Sequence, residues 1–165
     1  MSESLENFTN IVKEDIKEAK TLFFSEAFKE EYLKDRREEK ELYHQLLLGR
    51  NRNQILEEFL LSSGQKKPVL LSAAKTIYQA TIMNLDEPLE IKVKREGWGY
   101  LVGRIKSDGT FLSLHKNTFQ AEDFEDGTLT IYADMKTIPK DGDIDHLIIQ
   151  TVYQTLQIEV VYKEK

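Results

Sequence analysis

The stretch Leu89-Glu90-Ile91-Lys92-Val93-Lys94 alternates one apolar side chain with one charged side chain. A period of two puts the apolar residues on one face of an extended chain and the charges on the other. The stretch is therefore predicted as a half-buried strand with one wet face. The same rhythm runs on either side of it. Pro68 to Leu71 and Ile77 to Thr81 precede it, and Leu101 with Ile105, Leu112 with Leu114, and Leu129, Ile131 and Ala133 follow. Leu147 and Ile149, then Leu156, Ile158 and Val160, complete the series. Asp-Gly pairs at Asp108-Gly109, Asp126-Gly127 and Asp141-Gly142 separate the runs, and such pairs tolerate positive φ. About seven or eight short strands with regular turn signals argue for an antiparallel sandwich.

Upstream of Pro68 the period changes. Leu5, Phe8, Val12, Ile16, Ala19 and Phe23 recur every three or four positions, which places them in one stripe on a helix, with Glu6, Lys13, Lys17 and Lys20 off it. No proline or glycine interrupts the chain from Met1 to Leu48. A second helical segment is expected from Phe28 to Leu48, carrying Phe28, Tyr32, Leu42 and Leu46, with the polar run Lys34 to Glu41 between them readable as helix or as hinge. Gly49 is its natural stop, and a third helix spans Gln54 to Leu61. The expected fold class is α+β: a helical segment of two or three helices over 1–65, then an antiparallel sandwich over 68–165.

The β half also carries a resemblance. Pro68-Val69-Leu70-Leu71-Ser72, Ile77-Tyr78, the strand at Leu89 to Val93 and Gly97-Trp98-Gly99-Tyr100-Leu101-Val102-Gly103-Arg104-Ile105 follow one another in that order. Phe111-Leu112-Ser113-Leu114, Phe119, Asp123-Phe124 and Gln154 to Val160 come after them. The series resembles bacterial immunoglobulin-like modules, which occur as accessory domains in multidomain bacterial proteins. The resemblance covers about residues 68–162 and implies an immunoglobulin-like sandwich without catalytic residues. It says nothing about the helices.

Charge and composition exclude several functions. The net charge is -6, with 12 basic and 14 acidic side chains in residues 1–67 and 11 and 15 in residues 68–165. Neither half has the basic excess that nucleic acid attracts, so no nucleic-acid partner is expected. The absence of cysteine removes disulfides, thiol catalysis and cysteine-ligated zinc. The polar, acidic start Met1-Ser2-Glu3-Ser4 lacks the features of a signal peptide. No apolar run approaches the roughly 18 residues of a membrane span. A cytoplasmic protein without a membrane partner is expected.

Candidate sites are few. Gly97-Trp98-Gly99-Tyr100 combines two aromatics with two flexible positions. Its structural reading is an aromatic plug at the end of the sandwich, and its functional reading is a pair of rings that stacks on a sugar or grips a peptide. Asp141-Gly142-Asp143-Ile144-Asp145 spaces acids as calcium loops do, but the twelfth position is Val152 and not the bidentate Glu such a loop needs. His44, His115 and His146 lack any short metal-ligand spacing. No nucleophile turn or phosphate-cradling glycine loop is present. No catalytic residue, metal or cofactor is expected. The expected role is a non-enzymatic interaction or scaffold module that binds a protein partner, or itself, through Leu5, Phe8, Val12 and Ile16 or through a sandwich edge. The alternatives are a carbohydrate-binding module using Trp98 and Tyr100, and a spacer domain from a longer chain.

Overall fold

A computed structural model describes residues 4–164. The chain divides into two compact units. One runs through Pro68 and includes Trp98–Tyr100; the other comprises Val69–Gly97 and the chain from Leu101 onward.

The first unit holds five short helices: α1 Leu5–Glu14, α2 Ile16–Phe23, α3 Glu26–Tyr32, α4 Arg37–Leu46 and α5 Arg52–Ser62. The single helix expected from Leu5 to Phe23 is broken at Asp15, which takes an extended conformation (φ -148°, ψ 93°). Its carboxylate accepts the Glu18 backbone N–H at 3.1 Å and caps α2. Aspartate is among the best helix caps and among the weaker interior residues, so the cap wins over continuation. The second expected helix is likewise split, with Ser25 preceding α3 and a turn over Lys34 and Asp35 separating α3 from α4. The polar run Lys34 to Glu41 is thus part turn and part helix.

Six aromatic rings form the centre of this unit. Phe8 lies 4.7 Å from Phe28 between ring centroids, and Phe23 lies 4.9 Å from both Phe28 and Tyr43. Tyr32 stacks on Phe28 at 5.2 Å, and Phe59 of α5 meets Phe23 at 5.3 Å. Offset and edge-to-face contacts of this kind add to the burial of apolar area. The Tyr43 hydroxyl donates to the Phe23 carbonyl. Burial first, and the nearby Glu26 carboxylate second, push its pKa above the usual tyrosine value.

The second unit has nine strands: β1 Leu70–Ala73, β2 Ile77–Ala80, β3 Leu89–Glu96, β4 Val102–Ser107, β5 Leu112–Leu114, β6 Thr118–Gln120, β7 Thr128–Met135, β8 Ile144–Thr151 and β9 Thr155–Tyr162. They form sheets of order β1-β3-β7-β5 and β2-β9-β8-β4-β6. All named pairings are antiparallel except β2 with β9, where Ile77 lies opposite Glu159 and Ala80 opposite Tyr162. Four strands facing a sheet that contains β9-β8-β4 reproduce the ABED and CFG sheets of an immunoglobulin-like sandwich. In one respect the path differs from the lettered order: β5, in the D position, precedes β6, which pairs with β4. The alternation read from Leu89 to Lys94 holds, with Ile91 and Val93 buried and Lys92 and Lys94 exposed. Ile91, Ile131, Leu147, Ile149, Ile158 and Val160 meet in the core between the sheets. The Asp126-Gly127 turn has φ of 50° and 77°, the double positive of a tight hairpin, and joins Glu125 to Thr128.

Two local devices hold the sandwich in register. Asp145 sits on β8 in phase with inward Leu147 and Ile149 and is fully buried. Its two oxygens accept four backbone N–H groups: Asp108 at 3.1 Å, Phe111 at 3.0 Å, Leu112 at 3.0 Å and His146 at 2.8 Å. A carboxylate offers about four lone-pair sites, so its accepting capacity is filled. The β4–β5 crossover between sheets is thereby tied to β8. The second device pairs Gly103 of β4 with Phe119 of β6. A Cβ at Gly103 would overlap the Phe119 ring and come within 2.8 Å of the Gln150 carbonyl. The ring lies where that side chain would be.

Candidate functional site

The buried charges of the helical unit gather around one ion pair. Lys66 Nζ donates to Glu57 Oε1 and to the Trp98 carbonyl, and the two side chains are 1% and 3% exposed. The Lys66 ammonium also lies 4.4 Å from the centre of the Trp98 ring, and Lys13 of α1 lies 5.1 Å from it. Gly99 has φ +104°, and a Cβ there would crowd Lys66 and Glu57. A residue with a side chain is strained at this position. Burial pushes the Glu57 carboxyl above the usual value of 4.5, and Glu58 adds to the push. The Lys66 ion pair and the Tyr100 backbone N–H pull it back without cancelling the shift. Every polar atom in this cluster has a structural partner, so the arrangement anchors Trp98–Tyr100 in the helical unit.

The residues expected to bind a partner divide sharply. Leu5, Phe8 and Val12 are buried in the core of the helical unit. The apolar stripe faces the unit's own aromatic centre, so these three side chains offer no surface to another protein. Ile16 is the exception at 46% exposed. The break at Asp15 shifts the helical phase, and Ile16 turns outward while Ala19 and Phe23 return to the core.

Trp98 and Tyr100 both belong to the helical unit and not to the sandwich unit. Trp98 packs on the helical core, and the Tyr100 hydroxyl accepts from Asn51 at 3.2 Å. Cations occupy the ring face that a sugar would need. The three histidines stay apart. His44 touches Tyr43, His115 bonds Asp134 at 2.9 Å, and His146 bonds Asp108 at 2.7 Å and faces Glu159 at 3.7 Å. Among the described residues no group of three or more His, Asp or Glu is arranged to hold a metal ion, and no helix is long and apolar enough to cross a membrane.

In the sandwich unit the outer edge of β4 is covered only in part. β6 pairs with β4 only over Val102–Arg104, after which the Ile105 N–H reaches the Asn117 carbonyl. Among the described residues Lys106 and Ser107 have no partner strand on that side, and β5 pairs with β7 alone. A groove runs along these two strands. The half-buried Leu114 contributes its apolar surface, over the core residues Ile105 and Leu112, and Arg104, Lys106 and Lys136 contribute its charged side. A second groove, which shares Arg104 and Thr118, holds Lys116, Gln120 and Gln150 on the outer face of the sheet.

The sequence matches, over residues 2–165, the model of a family described as "Family of unknown function (DUF5717) N-terminal". The chain belongs to that family. No curated protein matches it in sequence. Among solved structures it is similar to the Escherichia coli chaperone DraB, at 8% identity and a TM-score of 0.44, over 58% of this chain and 55% of that one. Domains 4 and 5 of the S-layer protein SbsC are similar at 10% identity and a TM-score of 0.41, over 57% of this chain and 51% of that one. The titin M3 domain is similar at 7% identity and a TM-score of 0.34, over 59% of this chain and all of that one. The chain thus spans about half the length of the DraB and SbsC structures.

Proposed function

We propose that this family member is a non-catalytic interaction module that binds a protein partner along an open edge of its sandwich. The observation that carries the reading is the uncovered stretch at Lys106–Ser107 beside β5, two strand edges that share one groove. Unpaired edges are templates for an added strand, and short edges flanked by charge bind selectively without aggregating. The buried carboxylates Glu57 and Asp145 support a non-catalytic role, because each is occupied by partners of the fold. The helical unit then acts as a structural companion. A second reading, a spacer in a longer protein, draws support from the family description, which names an N-terminal part.

Site-specific photo-crosslinking separates these readings. A benzophenone residue at Ser107 is expected to trap a discrete partner protein, and excess unmodified chain should compete it away. Equivalent probes at Ile16 and Leu48 should trap little. Crosslinks confined to Ile16 or Leu48 would move the interface to the helices, and no competable crosslink from any position would favour the spacer.

A further inference from the structure

The groove beside β4 and β5 has a charge unlike that of the chain around it. The protein carries a net charge of -6, yet this lining holds Arg104, Lys106 and Lys136 and no carboxylate. The three cations are exposed. Among the described residues their side chains make no hydrogen bond or ion pair with the protein, whereas Lys116 in the adjoining groove meets Asp123 at 3.5 Å. Beside the cations the half-buried Leu114 contributes apolar surface, while the Leu112 and Ile105 side chains belong to the sandwich core. The site is therefore a cationic groove with a small apolar surface at Leu114, beside the end of β4 that β6 does not cover.

From this geometry we infer that the groove takes an extended acidic segment of a partner protein, alternating apolar and carboxylate side chains, as an added strand beside Lys106–Ser107. The inference rests on the interaction-module reading and names the edge and the chemistry of the partner. An extended strand has a period of two, so one face of such a segment lies against Leu114 while the alternate carboxylates meet Arg104, Lys106 and Lys136. Main-chain hydrogen bonds to the open part of β4 supply affinity, and the charges supply register and selection against basic segments. Arginine adds directional pairing, because its planar fork matches a carboxylate in two parallel hydrogen bonds.

Edge lysines also serve to keep sheets from pairing with one another, and that role alone needs no ligand. The two roles differ in a titration of the whole chain. The probe is a synthetic peptide of alternating glutamate and valine, and its twin carries lysine in place of glutamate. Amide NMR shifts and fluorescence anisotropy are recorded at low and high salt. The glutamate peptide is expected to bind and to move the amides of Lys106, Ser107 and Ser113. The lysine twin and a backbone N-methylated glutamate peptide should not bind. The triple variant R104E/K106E/K136E, checked for folding by circular dichroism, should weaken binding about tenfold, as expected for three such pairs. Equal response to both peptides, or no shift at these amides, would overturn the inference. A partner crosslinked from Ser107 that ignores acidic peptides would leave the interaction module standing and remove only its acidic ligand.

Discussion

Asp145 shows how much one side chain contributes to this fold. It lies on the inward face of β8, where the alternation calls for an apolar residue, and four backbone N–H groups converge on it. Replacing it with asparagine substitutes an NH₂ for one acceptor oxygen and sets that donor against other donors. Hydrogen bonds to charged groups are worth about 1.5–3 kcal/mol, so Asp145→Asn is expected to destabilise the sandwich by about 3 kcal/mol. Urea unfolding followed by the signal of the β unit measures it, and a change below about 1 kcal/mol would contradict the assignment. Glu57 makes the opposite kind of contribution. Its carboxyl titrates above 4.5 in the folded chain, so the folded form retains a proton that the unfolded form has released. The stability from this group is full below pH 4.5 and is lost as the pH rises through the folded-state value. Glu57→Gln should flatten the fall in helical-unit stability over that window, as read by circular dichroism melts at a series of pH values.

At the scale of elements, the strands were legible and the helix boundaries less so. Leu89 to Lys94 can bury its apolar residues only as a strand, because a helix would scatter them around its circumference. The stripe from Leu5 to Phe23 reads the same whether or not the helix is interrupted, since Asp15 lies off it. Only the competition between capping and continuation decides, and that competition depends on what packs around it. The place of Trp98 was hidden for another reason. Its partners Lys13, Glu57 and Lys66 are distant in sequence, and no local spacing announces a non-local contact. Asp145 did leave a trace. Counting back by twos from Ile149 and Leu147 puts it inside, although its acidic neighbours suggest a wet turn. The position of the stripe also sets the outcome of a truncation. Removing residues 4–23 takes away α1, α2 and the buried Phe8 and Phe23. Loss of a single buried Phe costs about 3–5 kcal/mol, so this deletion is expected to unfold the helical unit. Retention of its helical circular dichroism would show that the stripe is not internal.

For the whole molecule, the two compact units divide the work by where their apolar surface goes. The helical unit turns its stripe and six aromatic rings inward and holds Trp98–Tyr100 with a buried ion pair. The sandwich closes its core between two sheets, and among the described residues one side of Lys106 and Ser107 has no pairing strand. The open edge of the sandwich is the physical basis for the proposal that the protein is an interaction module. Amide hydrogen exchange over the free chain tests this distribution most directly, because exchange reports which backbone bonds are protected by packing. Slow exchange is expected together in α1, α5 and β8, with fast exchange at Ser107. Rapid exchange throughout α1 combined with full protection at Ser107 would place the open surface on the helices and contradict it.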